Sequence, residues 1–299
     1  MADAERVGHG EDGRMSNTES PSGSADARPD KTDPHPDTAG PRPDKTDPRP
    51  DTSDAAETRA DEQSAATIAI SHLSKSFGRH AVLRDISFRA LPGRVTGFVG
   101  PNGAGKSTTL RILLGLDRAD TGRATILGRP YRRLPAPSRS VGAMLDGSGA
   151  HPSRTARAHL AWQAAAAGIP RSRIAECLEE TGLAEAAGRR TREFSLGMGQ
   201  RLGIASALLG DPDILILDEP VNGLDPEGIR WIRNLLRKRA DAGGTVLLSS
   251  HLMGELAEIA DDVVVISAGR IAAAGPLTEV TAGYRNLEDA FFTLTGGAQ

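Results

Sequence analysis

The chain of 299 residues is long enough for one large domain or two small ones, and its formal net charge of −3 combines two oppositely charged parts. Residues 1–65 carry 16 acidic and 8 basic side chains and the remainder carries 23 acidic and 28 basic ones, so a net −8 is followed by a net +5. A single cysteine excludes a disulfide framework and a cysteine-based metal cluster, and scattered arginines without an aromatic-plus-basic motif argue against nucleic acid as a partner.

Residues 1–65 form an acidic, proline-rich segment in which "RPDKTDPHPDT" (28–38) recurs as "RPDKTDPRPDT" (42–52). Too few apolar side chains are present to offset the entropy of ordering, and the prolines favour extended conformations. We therefore expect a disordered tail over 1–65, followed by a folded domain over 66–299. The alternative is an acidic tether that docks on a basic partner or on the positive face of the domain.

Short apolar segments alternate with helical ones after the tail. Strands are predicted, in chain order, over 67–73, 86–91, 93–100, 124–128, 140–145, 213–219, 244–250 and 261–269. A helix is predicted over 227–241, and an Ala-rich helical insertion over about 150–210, in which Cys177 takes an apolar position typical of a buried structural thiol. This alternation indicates an α/β fold with a parallel sheet and crossover connections.

The stretch "GPNGAGKST" follows the third predicted strand and opens a helix. It matches the pattern G-x-x-x-x-G-K-[ST], whose small residues let successive backbone N–H groups surround phosphate oxygens, and the strand–loop–helix context disfavours a purely structural glycine turn. Lys106 is expected to reach the β- and γ-phosphates of a nucleotide, and the Ser107 hydroxyl to bind Mg²⁺. The candidate nucleotide-binding residues of this loop are Gly100, Pro101, Asn102, Gly103, Ala104, Gly105, Lys106, Ser107 and Thr108.

A second candidate site element is "ILILDEP", in which two carboxylates follow four apolar residues. The carboxyl ends of strands are where open α/β sheets bind ligands. Asp218 is expected to hold Mg²⁺ through water, and Glu219 to orient and deprotonate the attacking water. Together with the glycine-rich loop, this pair predicts nucleotide hydrolysis.

The segment "EFSLGMGQRLGIA" precedes the acidic pair and begins like a helix whose first N–H groups suit an anion. It resembles the signature of ABC-type ATPases, which usually reads L-S-G-G-Q. Ser195 and Gly197 match this pattern, whereas Leu196 and Met198 depart from it. Three further motifs follow the order of the family: "LSKSFG" with Phe77, "NGLDP" with Asp225, and "LSSH" with His251.

The resemblance implies ATP as the nucleotide and a role for each matching residue. Phe77 is expected to stack on adenine, and His251 to contact the γ-phosphate and act in catalysis with Lys106 and Glu219. Ser195 and the backbone of Gly197 are expected to bind the γ-phosphate of ATP held by the opposite subunit. In isolation, these residues would be read as a core aromatic, an ordinary hydrogen-bonding histidine and a helix cap.

Two residues are expected to couple the nucleotide to the rest of the assembly. Asp225 stands in the segment that resembles the D-loop of the family. The family usually has a glutamine between the phosphate loop and the helical insertion, and Asp146 takes that place here. We expect Asp146 to replace the glutamine as a metal-linked sensor and to raise the dependence on Mg²⁺.

The implied fold is a P-loop NTPase core of the ABC ATPase type, with an N-terminal antiparallel β subdomain, an inserted α-helical subdomain and the disordered tail. The implied function is ATP hydrolysis that powers a membrane transporter, and the closing "LEDAFFTLTGG" resembles the end of the drug and antibiotic exporter subfamily. The expected partners are a separate transmembrane permease and a second ATPase subunit, in a homodimer or a heterodimer.

We expect a cytoplasmic protein, peripheral on the inner face of the cell membrane, since no run approaches the 18 apolar residues of a membrane span. A soluble ABC ATPase that acts on ribosomes or DNA is the alternative. Such relatives typically carry two ATPase domains, a long coiled coil or zinc insertions. A non-catalytic nucleotide-binding module is a third reading, and the intact candidate catalytic residues argue against it.

Overall fold

The computed structural model describes residues 67–145 and 147–296. The predicted tail over 1–65 and the candidate sensor Asp146 therefore lie outside the described residues. In the described part, the strands are β1 (Ile68–Phe77), β2 (His80–Ala90), β3 (Val95–Val99), β4 (Thr121–Ile126), β5 (Val141–Met144), β6 (Ile214–Asp218), β7 (Thr245–Ser250), β8 (Asp262–Ser267) and β9 (Arg270–Pro276). The helices there are α1 (Lys106–Leu113), α2 (Pro137–Ser140), α3 (Ala156–Ala167), α4 (Ser172–Glu180), α5 (Leu196–Leu208), α6 (Pro226–Asp241), α7 (Met253–Ala257), α8 (Leu277–Val280) and α9 (Leu287–Leu294). Across these residues, no helix combines the length and the apolar character that a membrane crossing requires.

The larger sheet has the strand order β5-β6-β7-β3-β8-β9. Its strands run parallel from β5 to β8, and their buried, apolar character on both faces is the reason that they could be predicted. β9 departs from the predicted all-parallel arrangement because it returns antiparallel to β8. The hairpin between them turns at Ala268 and Gly269, which both have positive φ, as a two-residue turn between twisted strands requires.

The smaller sheet is antiparallel, with the order β2-β1-β4. Its first two strands are longer than predicted: they run through "KSFGRHAVL", and only Gly78 and Arg79 connect them. The extensions pair with each other, from Lys75 opposite Leu83 to Phe77 opposite His80. Phe77 is thereby placed at the very tip of this hairpin.

Helices α3, α4 and α5 follow one another between β5 and β6, within the stretch where the helical insertion is predicted. Thr155 caps α3 and Ser195 caps α5, each through a side-chain oxygen that accepts a backbone N–H. The apolar sides of these helices enclose Cys177 and His159, and the prediction of a buried thiol is confirmed. Burial raises the pKa of Cys177 to about 11 and lowers the pKa of His159.

Candidate functional site

The glycine-rich loop joins the end of β3 to the start of α1 and depends on its glycines for shape. Gly103 and Gly105 have φ of +80° and +110°, a backbone region that residues with a Cβ avoid. A Cβ on Gly105 would lie 2.4 Å from the side chain of Leu83, and a Cβ on Gly100 would lie 2.4 Å from the carbonyl oxygen of Ile266. The loop is therefore fixed against β2 and β8, with the N-terminus of α1 at its end.

Lys106 is the first residue of α1 and is only 7% exposed. Its Nζ donates a hydrogen bond of 2.7 Å to the carbonyl of Gly100 and lies 3.9 Å from Oε1 of Glu219. A buried ammonium group is thus held between the loop backbone and a carboxylate. Such a group favours an anion beside it, because little water screens its charge.

The acidic pair lies at the carboxyl end of β6, as predicted, and is held by a residue that the sequence did not indicate. Asp218 is 8% exposed and accepts a hydrogen bond from the hydroxyl of Ser249, its neighbour on β7. The backbone N–H of Glu219 donates to the same hydroxyl oxygen at 2.9 Å. Ser249 therefore ties the two acidic residues to β7. Its role becomes visible only once the register of β6 and β7 is known, because that register places it opposite Asp218.

Glu219 and His251 meet directly. The Nδ1 atom of His251 is 2.7 Å from Oε2 of Glu219, and the backbone N–H of His251 is 3.3 Å from the same oxygen. Because an ionised carboxylate only accepts hydrogen bonds, Nδ1 is the donor in this contact. Glu219 also has a φ of +50°, which is unusual for a residue with a side chain and typical of a constrained functional position.

Most of the predicted nucleotide-binding residues line a single cavity of about 450 Å³. They are Phe77, Pro101, Asn102, Gly103, Gly105, Lys106, Ser107 and Thr108, and the predicted metal ligand Asp218 and catalytic Glu219 line the same cavity. Gly100 and His251 line a second cavity of about 360 Å³, which shares Pro101, Asn102 and Glu219 with the first. Ala104 is the exception: its side chain packs into the core under the loop. The volume of the first cavity is in the range typical of small-molecule sites.

Phe77 stands at the rim of the first cavity with 52% of its surface exposed. The ammonium group of Lys75 lies 5.1 Å from the centre of its ring. A large apolar ring that is half exposed beside a polar cavity leaves a face on which a flat ligand can stack. This position is compatible with the predicted stacking on adenine.

The two signature residues lie apart from both described cavities. Ser195 is exposed at the start of α5, where its Oγ accepts the N–H of Met198 at 3.2 Å. Gly197 packs so closely on the loop after β6 that an added Cβ would lie 2.9 Å from the carbonyl oxygen of Gly223. Asp225 likewise lines neither described cavity and caps α6 through the N–H of Gly228 at 2.8 Å. The side-chain oxygens of Ser195 and Asp225 thus act as helix caps within the chain.

Another residue without a predicted role contacts the acidic pair from the insertion. Gln200, five positions after Ser195 in the segment "EFSLGMGQRLGIA", donates from Nε2 to the backbone carbonyl of Glu219 at 2.8 Å. Nothing in its sequence position indicates this contact, since the two residues are 19 positions apart and on different elements. The contact depends on how α5 packs beside β6.

Known proteins resemble this chain over most of its length. A family model described as ABC transporter matches residues 83–222. The lantibiotic transport ATP-binding protein SrtF of Streptococcus pyogenes is 35% identical over 224 residues, which cover 75% of this chain and 95% of that protein. The bacitracin transport ATP-binding protein BcrA of Bacillus licheniformis is 38% identical over 207 residues, 68% of each chain. The Nod factor export ATP-binding protein I of Rhizobium etli is 36% identical over 226 residues, 73% of this chain and 71% of that one.

The fold gives the same result. A solved structure of an ATP-binding subunit of an ABC transporter superposes with a TM-score of 0.71 and 28% identity, over 77% of this chain and 99% of that one. The predicted resemblance and the predicted fold class are confirmed. The chain therefore belongs to the ABC transporter family, as one of its ATP-binding proteins with the fold of an ABC ATPase.

Proposed function

We propose that this chain is the ATP-hydrolysing subunit of a membrane exporter, and that its transported compound is a drug, an antibiotic or another hydrophobic molecule. The observation that carries the proposal is the convergence of Lys106, Asp218, Glu219 and His251 at two adjoining cavities. The export assignment is supported by relatives whose names refer to lantibiotic transport, bacitracin transport and Nod factor export. The names of these relatives also favour a role in export over a role on ribosomes or DNA.

In the proposed site, the backbone N–H groups of the glycine-rich loop and the ammonium group of Lys106 bind the phosphates of ATP, while Phe77 stacks on the adenine. The Ser107 hydroxyl and the Asp218 carboxylate line the same cavity, and both are oxygen donors of the kind that Mg²⁺ prefers. Among the described residues no cluster of three His, Cys, Asp or Glu side chains could bind a metal ion. Two protein oxygens beside nucleotide phosphates are the usual setting for Mg²⁺, whose charge offsets that of the phosphates.

Hydrolysis then depends on Glu219. Its carboxylate lies between Lys106 and His251, where it can accept a proton from an attacking water. The contact with His251 orients this carboxylate. Lys106 stabilises the negative charge that builds up on the phosphate oxygens in the transition state.

The second half of the site comes from another subunit in this proposal. Ser195 and the backbone of Gly197 lie at an exposed helix N-terminus, which suits the γ-phosphate of ATP held by the partner. Binding of ATP closes the dimer, and Asp225 and Asp146 couple this closure to the nucleotide and its metal. A separate permease changes conformation in response to the closure. Binding to that permease holds the chain at the inner face of the cell membrane.

The test is the substitution Glu219→Gln, which keeps the shape of the side chain and removes the base. Turnover should fall by about 10²–10⁴-fold, the usual contribution of a general base, while ATP still binds. The variant should also accumulate as a dimer in saturating Mg-ATP, measured by light scattering. Retained turnover would refute the role of Glu219, and a monomeric variant under these conditions would refute ATP-driven closure. Failure of a tagged chain to co-purify with any membrane-spanning protein would argue against the permease.

A further inference from the structure

Gln200 is buried in the second turn of α5, with 6% of its surface exposed. Its amide nitrogen donates to the backbone carbonyl of Glu219 at 2.8 Å. A buried amide with a well-formed hydrogen bond to a neighbouring element fixes the distance between the two elements, because breaking the bond leaves the buried amide nitrogen without its partner. The helix that begins at Ser195 is thus attached to the residue proposed as the general base of the same chain.

The residue that receives this bond has a constrained backbone. Glu219 has a φ of +50°, a conformation that is unfavourable for a residue with a side chain. Side chains of other elements hold both of its backbone polar groups: the hydroxyl of Ser249 on β7 accepts its N–H, and Gln200 on α5 donates to its carbonyl. The same carbonyl also accepts the N–H of Asn222 at 3.2 Å, within its own loop, so Gln200 supplies the contact that reaches another element. The backbone at Glu219 sets the direction of the Cα–Cβ bond. The hydrogen bonds with Ser249 and Gln200 therefore fix the direction in which the side chain leaves the backbone, and the contact with His251 then orients its carboxylate.

A second contact makes α5 and the loop after β6 move together. A Cβ on Gly223 would lie 2.4 Å from the side chain of Leu196, and a Cβ on Gly197 would lie 2.9 Å from the carbonyl oxygen of Gly223. The first turn of α5 therefore packs directly on the loop that starts at Glu219. A shift of this turn cannot leave the loop in place, since the close approach leaves no free space between them.

We infer that Gln200 is a positioning residue, which holds the left-handed backbone of Glu219 and so links the anion-binding start of α5 to the general base of its own chain. This inference rests on the proposed function, because it needs Glu219 to act in hydrolysis. Gln200 touches neither of the two cavities described for the nucleotide. Its effect on turnover comes from the direction of the Glu219 carboxylate alone.

The substitution Gln200→Met tests the inference, since methionine keeps the unbranched shape and the helix propensity but cannot donate. We expect kcat to fall about tenfold, which corresponds to the loss of one hydrogen bond to a buried group, with KM for ATP unchanged. The kcat of Gln200→Glu should fall at least as far, because an ionised carboxylate cannot donate a hydrogen bond to the Glu219 carbonyl that it would face. The matched control is Gln163→Met, the same change at a glutamine of α3 that lies far from the acidic pair in sequence and lines a different cavity. It should leave kcat unchanged.

A double variant separates positioning from a general structural role. Gln200→Met in the Glu219→Gln background should bind ATP and dimerise like Glu219→Gln alone, because the carboxylate to be positioned is no longer there. An unchanged kcat in Gln200→Met overturns the inference, and so does a loss of dimerisation in the double variant, which would indicate damage to the fold. A wild-type chain without turnover would refute the proposed function and the inference with it. Normal wild-type turnover with an unaffected Gln200→Met would refute the inference only.

Discussion

Replacing Ser195 by alanine separates the local role of this residue from its proposed role in a second subunit. Locally, Ser195→Ala removes the N-cap of α5, a hydrogen bond of 3.2 Å from the N–H of Met198. Loss of such a cap costs about 1 kcal/mol of stability. Thr155→Ala is a matched control, because Thr155 caps α3 through the N–H of Ala158 at 3.1 Å in the same part of the chain. Both variants should lower the free energy of unfolding by a similar amount.

Only Ser195→Ala should lower ATP turnover. A hydrogen bond from a hydroxyl to a charged phosphate contributes about 1.5–3 kcal/mol, so kcat/KM should fall about 10- to 100-fold, while Thr155→Ala leaves it unchanged. Phosphate release gives the rates, and thermal unfolding followed by circular dichroism gives the stabilities. Equal losses of turnover in the two variants would mean that Ser195 acts as a cap and nothing more.

Mixed dimers test whether the defect acts in the partner. Lys106→Ala destroys the phosphate clamp of its own chain, and Ser195→Ala destroys the contribution of its chain to the partner's nucleotide. A dimer of one chain of each kind has one intact composite site and one site that has lost both residues. Random pairing of equal amounts gives about a quarter of all sites intact, so two proteins with little turnover of their own should give about a quarter of wild-type turnover when mixed. Absence of recovery, with mixed dimers shown by differently tagged chains, would refute a site built from two subunits.

Three further predictions follow from other features of the chain. Burial lowers the pKa of His159. Below about pH 6.5 the unfolded chain therefore binds a proton at this histidine that the folded chain does not bind, and the free energy of unfolding decreases as the pH is lowered. His159→Leu should flatten this fall in urea unfolding between about pH 6.5 and pH 5, and a slope equal to wild type would contradict it. Gly105→Ala should weaken ATP binding in calorimetry at least about tenfold more than Gly103→Ala, because only the former places a Cβ 2.4 Å from Leu83 in addition to its positive φ. Removal of residues 1–62 should leave ATP turnover unchanged, and a large loss would favour a tail that docks on a partner or on the domain.

The strands of the larger sheet could be predicted because they are short apolar segments that lie between helices. β9 escaped prediction because "RIAAAGP" alternates half-buried and exposed positions and carries one β-branched residue. The ends of β1 and β2 at the hairpin were missed for a related reason: their polar residues, such as Lys75 and His80, are held in strand conformation because the two strands pair with each other. Where a strand buries little apolar surface, its partner decides its extent, and the partner is not visible in the local pattern.

In the candidate site, too, residues that a local pattern indicates could be predicted, and residues that packing brings in could not. Residues that belong to a motif, such as Lys106 and Glu219, could be predicted together with the element that carries them, and the structure brings them to adjoining cavities. Ser249 and Gln200 could not, because each contacts the acidic pair through the register of two strands or the packing of a helix. The proposed contact of Ser195 with the partner's nucleotide stays a prediction, since it concerns two chains.

The buried thiol of Cys177 has a practical consequence for all of these experiments. It is the single cysteine of the chain, and a pKa of about 11 leaves about one part in ten thousand as the reactive thiolate at neutral pH. Maleimide and disulfide reagents should therefore not modify the native protein at this cysteine. A cysteine introduced at the exposed Leu116, which lines neither nucleotide cavity, would be the group that such reagents modify, so a fluorophore or a cross-linker can be attached there without removal of the natural cysteine.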